Sequence, residues 1–141
     1  MTQLFSLIGR VAVINGDSGA IGAAIARGYA EAGADLALTY NSNVSATEAL
    51  AEELRKLGVQ VIVDQVNVQS EQALRDHAGK VQVRFGSTDI LVNCAGGNIK
   101  AAMTGGDRRF FDLEAQAISD TLNLNVKNMQ PLSSRVQYFF F

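Results

Sequence analysis

The sequence predicts an α/β fold in which a doubly wound parallel sheet of about four strands carries helices on both faces. Two observations lead to this prediction. Short apolar runs alternate with longer stretches of helical periodicity along the chain. The apolar runs are hydrophobic at consecutive positions, which is typical of strands buried on both faces of a parallel sheet. Strands that alternate with helices favour right-handed crossovers between parallel neighbours.

The first half of the chain predicts two strands, each followed by a helix. Residues 11–14 are a short apolar run between an arginine and a glycine cluster, and they form the first predicted strand. An alanine-rich helix follows over residues 20–32 and should end at Gly33, because glycine commonly follows a helix C-terminus. Residues 35–40 form the second strand. Residues 44–57 follow as a helix whose leucine residues share one face.

The second half continues the alternation. Residues 59–63 form the third predicted strand, and a helix capped by Ser70 follows to about Phe85. Residues 89–93 form the fourth strand. A glycine-rich loop then leads to a last helical stretch that starts at Leu113.

The length predicts a single domain over residues 1–141 that ends before a fifth strand. Residues 90–92 are apolar on both faces, as suits a strand inside a sheet. Without a fifth strand they would form an exposed edge, which is a template for pairing with another chain.

Composition and charge exclude several classes of partner. The net charge is −2 and the basic residues are scattered, so the chain has no basic surface for nucleic acid. No apolar run reaches the ~18 residues of a membrane helix, and residues 1–8 lack the positive start of a secretory signal. The single cysteine, Cys94, fits a reducing compartment. We therefore expect a cytoplasmic protein that binds neither nucleic acid nor a membrane, and we predict no metal site.

Three glycines lie at the predicted turn from the first strand into the first helix: Gly16, Gly19 and Gly22. Glycine there lets a pyrophosphate approach the backbone, and the helix N-terminus offers free N–H groups and a partial positive charge. The alternative is a glycine-rich turn without a ligand. The position of the cluster after an apolar strand, in an alternating pattern, favours a dinucleotide and a Rossmann-type sheet.

Three motifs resemble those of the short-chain dehydrogenase/reductase family, and they occur in the family's order. NGDSGAIG at 15–22 resembles its glycine loop. DILVNCAGG at 89–97 resembles its DILVNNAG segment, with Cys94 in place of the second asparagine. LNLNVKN at 122–128 resembles the stretch around the catalytic asparagine, which falls on Asn125. The resemblance covers nearly the whole chain and implies an NAD(P)-dependent oxidoreductase that acts on an alcohol or carbonyl.

The resemblance also implies where the dinucleotide would bind. The glycine loop would line the pyrophosphate and adjoining ribose, and the end of the fourth strand would border the cofactor. Asn67 and Val68 stand where the family often has an Asp-Val pair that holds the adenine. An alternative for Asn93 is a purely structural role, in which its side chain ties neighbouring strands together. Cys94 is predicted to be a small packed side chain rather than a reactive thiol. The cofactor-binding residues so implied are Gly16, Ser18, Gly19, Ile21, Gly22, Tyr40, Asn41, Ser42, Asn67, Val68, Asn93, Ala95 and Gly96.

The end of the second strand bears on the choice between NAD and NADP. An NAD enzyme usually places an acidic side chain there, about 20 residues past the glycine loop. Residues 39–43 contain none, and Asp35 lies at the other end of the strand. This removes the repulsion against a 2′-phosphate, which Asn41 and Ser42 could hydrogen-bond, although no arginine or lysine stands nearby. The residues favour NADP(H) over NAD(H), and both stay open.

The family's catalytic Tyr-Lys pair has no counterpart in these residues. In the family a lysine four residues after a tyrosine lowers the tyrosine pKa for acid–base work. None of Tyr29, Tyr40 and Tyr138 has a lysine at that spacing, and Tyr138 is expected to pack against the sheet. His77 lies in a polar helical context and is predicted to be a surface residue. Only Asn125, the proton-relay position, matches, so we expect the chain alone to be inactive.

Three functions stay open. The first is the cofactor-binding part of a short-chain oxidoreductase for a polyol, sugar or sugar acid, because residues 40–43 and 96–113 weakly resemble those of family members that act on such substrates. The second is a non-catalytic dinucleotide-binding or subunit-pairing module, and the third a structural fragment. Asn125 favours the first, and the missing Tyr-Lys pair favours the second. The last helix resembles the one through which family members dimerise, so the intact protein is expected to be a homo-oligomer.

Overall fold

A computed structural model describes residues 5–16 and 19–126, so the predictions for Ser18 and Tyr138 lie outside the described residues. A four-stranded sheet forms the centre, in the order β3-β2-β1-β4. The strands are β1 (Val11–Asn15), β2 (Asp35–Tyr40), β3 (Val61–Gln65) and β4 (Ile90–Asn93). The helices are α1 (Ala20–Glu31), α2 (Val44–Arg55), α3 (Glu71–Phe85) and α4 (Ala115–Asn125).

All three strand pairings are parallel, as predicted. The chain adds β2 and β3 on one side of β1 and then crosses over to place β4 on the other side. This reversal creates a crevice at the carboxyl ends of β1 and β4, which is where ligands bind in open α/β sheets. Within the described residues β4 is an edge strand, and its residues are half-buried.

Apolar side chains cover both faces of the sheet, which confirms the doubly wound arrangement. On one face, Ile14, Leu36 and Leu38 pack with buried residues of α1 and α2. On the other face, Val13 packs with Val81 of α3. None of the helices that the structure describes is long and apolar enough to cross a membrane.

The helix ends follow local signals that the sequence carries. Ser70 Oγ accepts a hydrogen bond from Ala73 N at 3.2 Å, which confirms its predicted capping of α3. Gly86 ends that helix with a positive φ of 79°, a conformation that glycine adopts without strain. The third strand, however, begins two residues later than predicted, at Val61. Gln60, directly before β3, donates its N–H to the Asp35 carboxylate at 2.7 Å. The parallel pairing of β3 with β2 then starts at Val61.

The prediction that His77 is a surface residue is wrong. Its side chain is 1% exposed, because it shares the inner face of α3 with Leu74 and Val81 at helical spacing. His77 Nδ1 lies 3.2 Å from Asp64 Oδ2 on β3. Lys80 Nζ donates to both oxygens of the same carboxylate, at 2.7 and 2.9 Å. The polar residues around His77 in the sequence lie on the outer face of the helix, which explains the error.

Burial makes His77 an acid-sensitive element of the fold. Burial lowers the pKa of His77 below its usual 6.5, and this outweighs the opposing effect of Asp64. Since a carboxylate oxygen only accepts, Nδ1 carries the proton of the neutral ring. Nε2 has no hydrogen-bond partner in the part of the chain that the structure describes. Protonation would therefore place a second N–H in a buried position without an acceptor.

We expect the free energy of unfolding to fall as the pH is lowered below about 6.5. The reason is that the imidazole then gains a proton in the unfolded chain, whereas the lowered pKa keeps it neutral in the folded chain. Above that pH both states hold a neutral ring, and the effect disappears. Urea unfolding of the wild type and of His77→Gln at several pH values would test this. Glutamine keeps an N–H for Asp64, so the variant should lose this part of the pH dependence. An unchanged slope in the variant would contradict the assignment.

Candidate functional site

A cavity of about 390 Å³ lies at the carboxyl ends of the strands. Its walls come from the residues that follow β1, β3 and β4, from the end of β2 and from the last turn of α4. The lining residues are Gly16, Gly19, Thr39, Tyr40, Asn41, Val66, Asn67, Val68, Gln69, Cys94, Ala95, Gly96 and Leu124.

Most of the predicted cofactor-binding residues meet in this cavity. Ile21 and Gly22 lie instead on the first turn of α1, with Ile21 exposed and Gly22 buried. Ser42 and Asn93 are also outside the lining, and the cofactor-binding roles of all the predicted residues stay predictions. The predicted residues that line the cavity are Gly16, Gly19, Tyr40, Asn41, Asn67, Val68, Ala95 and Gly96.

Five lining residues were not predicted. Thr39 and Val66 follow from the fold itself, since the ends of parallel strands meet at one edge of a sheet. Gln69 belongs to the turn that carries Asn67, and Cys94 sits within the motif that predicted its neighbours. Leu124 carries no sequence signal, because its contact depends on how α4 packs over the loop after β4.

Gly16 marks a close approach between two walls of the cavity. Its φ is +78°, and a Cβ there would lie 2.6 Å from Ala95 N. Gly16 N also donates to Thr39 O at 3.2 Å. The turn after β1 therefore touches the loop after β4 backbone to backbone, which a side chain at position 16 would prevent.

Gly19 leaves open space at the start of α1. It is the N-cap residue of a helix of 12 residues, and glycine provides no side chain to cap the first N–H groups. Among the described residues, a Cβ at Gly19 would have only Gly16 O nearby, at 3.7 Å. These residues thus leave room for a side chain there, whereas a ligand that approaches the helix N-terminus would not.

Asn125 holds the loop after β4 against α4. Its Oδ1 accepts from Gly97 N at 3.0 Å, and its Nδ2 donates to Gly97 O and Thr121 O, both at 2.8 Å. A Cβ at Gly96 would lie 2.5 Å from Asn125 Oδ1. The predicted relay residue is therefore engaged with the backbone through its side chain, and it fixes the segment that borders the cavity.

The polar side chains that the structure describes in the lining of the cavity are uncharged. Among the described residues that line it, none is an aspartate, glutamate, lysine or arginine. Asn41 O accepts from Gln65 Nε2 at 2.9 Å, which holds the end of β2 to β3. Asn67, which the sequence placed at the adenine, accepts a hydrogen bond from Gln69 N through its Oδ1 at 2.9 Å. This side-chain oxygen therefore bonds to the backbone of its own turn. Burial raises the pKa of the Cys94 thiol.

The side chain of Asn93 ties β4 to β1, which agrees with the structural role that was the alternative to cofactor binding. Asn15 Nδ2 donates to Asn93 Oδ1 at 3.1 Å. Asn15 in turn accepts from Thr39 Oγ1 at 3.1 Å. These contacts lie within the sheet, where Thr39 lines the cavity and Asn15 and Asn93 directly precede residues that line it.

The parallel sheet, its reversal of strand order and the glycine turn define a Rossmann-type α/β domain. The sequence model for the short chain dehydrogenase family matches residues 10–137, and the chain belongs to that family.

Three known proteins illustrate the similarity. The chain is 39% identical over 115 residues to an NADP-dependent mannitol dehydrogenase of Hypocrea jecorina, a match that covers 79% of this chain and 43% of the relative. It is 42% identical over 95 residues to a sorbose reductase of Candida albicans, a match that covers 67% of this chain and 33% of the relative. The solved structure of an oxidoreductase from Haemophilus influenza with bound NAD superposes with a TM-score of 0.82 at 26% identity. The superposition covers 93% of this chain and 51% of that protein. The chain thus spans about half, or less, of the length of these proteins.

Proposed function

We propose that the cavity binds a nicotinamide dinucleotide and that the chain is the cofactor-binding part of an oxidoreductase acting on an alcohol or carbonyl. The observation that carries the proposal is the cavity itself. It lies where the strand order reverses, and glycines and small residues line it on both sides: Gly16, Gly19, Ala95 and Gly96.

The residues present fit such a cofactor. The N-terminus of α1 beside Gly19 would hold the pyrophosphate through backbone N–H groups. Tyr40 and Asn41 would contact the adenosine ribose, and Val68 would border the adenine. Ala95 and Gly96 would border the nicotinamide side. The nicotinamide supplies hydride transfer when bound.

The proposed part of Asn125 in catalysis is positional. Its three hydrogen bonds fix the loop at Gly97 and Gly96, beside the cavity. No tyrosine of the chain has a lysine four residues later. We therefore propose that the chain alone binds the cofactor and does not turn over substrate. Measurable NADPH-dependent carbonyl reduction by the purified chain would refute this.

For the cofactor we propose a preference for NADP(H). The support is the uncharged end of β2 at Tyr40 and Asn41, since a carboxylate there would repel a 2′-phosphate. The mannitol dehydrogenase relative is NADP-dependent, whereas the solved neighbour holds NAD.

For the substrate we propose a polyol, a sugar or a sugar acid. The relatives that act on mannitol and sorbose support this class. The loop after β4 also forms a second, open pocket with charged walls, which suits a molecule with many hydroxyl groups. Its charged lining residues are Lys100, Asp107, Arg108 and Asp112.

We further propose that the intact protein is a cytoplasmic homo-oligomer. Ile118, Leu122 and Val126 are exposed at a spacing of four residues along and just after α4, which gives that helix an apolar stripe. The exposed stripe and the β4 edge also favour the second candidate, a non-catalytic module that pairs with another subunit. Dinucleotide binding without turnover by the complete protein would support that candidate.

Protection of Cys94 tests the dinucleotide proposal directly. It is the only cysteine, and it lines the cavity. We expect NADPH, and more weakly NADH, to slow its alkylation by N-ethylmaleimide, measured by mass spectrometry over a reaction long enough for the ligand-free chain to react, because the raised pKa of the thiol makes that reaction slow. Fluorescence titration with both dinucleotides would give the affinities. Equal alkylation rates with and without saturating dinucleotide would refute the proposed site, and tighter NADH binding would refute the NADP(H) preference.

A further inference from the structure

A row of polar side chains joins the carboxyl ends of β2, β1 and β4; those of Thr39 and Asn15 are buried and that of Asn93 is half-buried. Thr39 Oγ1 donates to Asn15 Oδ1, and Asn15 Nδ2 donates to Asn93 Oδ1, each at 3.1 Å. Asn15 is in register with both partners. Side chains at paired positions stand side by side on the same face of a sheet. The hydrogen bonds therefore run across three strands in one line.

This row lies at the edge of the cavity, since Thr39 lines it and Asn15 and Asn93 directly precede residues that line it. Backbone bonds at the same level join the same strands, since Gly16 N donates to Thr39 O at 3.2 Å and Cys94 N donates to Asn15 O at 2.9 Å. The residue after each member of the row lines the cavity; these residues are Gly16, Tyr40 and Cys94.

Asn15 is the member that bonds to both others, and its side chain is fully buried. Its carboxamide accepts on one side and donates on the other. An apolar residue of the same size would leave the Thr39 hydroxyl and the Asn93 oxygen without these partners. A row whose members are all paired favours one arrangement of the three strand ends.

We propose that Asn15 is a positioning residue for the dinucleotide. By joining Thr39 and Asn93, it sets the relative placement of the segments that hold the pyrophosphate, the adenosine ribose and the nicotinamide side. The inference rests on the proposed dinucleotide site. Asn15 is outside the lining of the cavity, so it acts through the residues that it holds. Misplacement of one segment weakens contacts that depend on all three.

Two variants and a control test this role in the full chain. Asn15→Leu removes both hydrogen bonds and keeps the number and branching of the side-chain heavy atoms. Asn15→Thr keeps a hydroxyl that accepts and donates from a shorter side chain. The control Leu54→Ala removes a fully buried core side chain of α2 that is outside the lining of the cavity. NADPH affinity is measured by fluorescence titration at a temperature where urea curves show each variant to be folded.

We expect Asn15→Leu to weaken NADPH binding about tenfold or more, Asn15→Thr to weaken it less, and Leu54→Ala to leave it unchanged. In the ligand-free chain, the NMR amide shifts of Gly16, Tyr40 and Ala95 should move together in both Asn15 variants and stay in place in the control. This second readout separates positioning from a general loss of stability.

The outcomes are distinguishable. Wild-type affinity in Asn15→Leu, or an equal loss in Leu54→Ala, would overturn the inference while leaving the proposed function intact. If Asn15→Leu does not fold, unchanged affinity and unchanged amide shifts in Asn15→Thr would overturn it. A wild-type chain that binds neither NADPH nor NADH would refute the proposed function, and the inference would fall with it.

Discussion

Gly16→Ala is expected to destabilise the fold by about 2–5 kcal/mol and to weaken dinucleotide binding about a hundredfold. The φ of +78° already disfavours any residue with a Cβ. The added carbon would lie 2.6 Å from Ala95 N, so the turn after β1 and the loop after β4 must move apart. That movement would open the cavity between its two glycine-lined walls.

Two further glycines of the same chain separate strain from site disruption. Gly58 also has a positive φ, of +89°, but a Cβ there would meet none of the described residues within 4 Å. Gly58→Ala should therefore cost only about 1–2 kcal/mol of backbone strain and leave binding unchanged. Gly19→Ala has the opposite profile, because among the described residues its Cβ would meet only Gly16 O, at 3.7 Å, while Gly19 lines the cavity. We expect it to lose affinity with little loss of stability.

Urea unfolding and NADPH titration of the three variants would measure both effects. If Gly16→Ala and Gly58→Ala have the same affinity, the contact at Ala95 does not shape the site. If Gly19→Ala binds NADPH as tightly as the wild type, the N-terminus of α1 does not hold the pyrophosphate.

The fold was largely predictable because its signals are local. A buried strand such as β1 is apolar at every position before Asn15, and glycine follows α3 where its helix must stop. The start of β3 was not predictable in the same way. Its pairing with β2 begins at Val61, directly after Gln60, whose N–H bonds to the carboxylate of Asp35, a residue distant in sequence. Strand boundaries depend on the partner strand as well as on the strand's own residues.

The site shows the same division between local and long-range information. Its glycines and the asparagine motifs could be recognised in order, and most of them meet in one cavity. The hydrogen bonds of Asn125 to Gly97 join residues 28 positions apart, and only the packing of α4 creates them. The burial of His77 was readable from its spacing to Leu74 and Val81, but the polar residues between them suggested an exposed helix.

Asn41→Asp is expected to reverse the cofactor preference. Asn41 lines the cavity at the end of β2, and a carboxylate there would accept hydrogen bonds from the ribose hydroxyls of NADH. It would also repel a 2′-phosphate by about 1–4 kcal/mol at ~4 Å, depending on the local dielectric. We therefore expect NADPH to bind about tenfold or more weakly, with NADH binding unchanged or tighter. The converse variant, Asn41→Arg, should strengthen NADPH binding, because it supplies a cation that the described lining lacks.

Asn43→Asp is the matched control for Asn41→Asp, since it adds the same charge two residues away. Asn43 caps α2 by accepting from Ala46 N at 3.3 Å and is outside the lining of the cavity. Aspartate caps helices as well as asparagine does, so stability should be preserved. If the two aspartate variants change the NADPH to NADH ratio equally, the effect comes from net charge rather than from position 41. If Asn41→Asp weakens both dinucleotides by the same factor, the 2′-phosphate does not lie beside Asn41. A shift in the ratio that is confined to Asn41→Asp would assign cofactor selectivity to the end of β2.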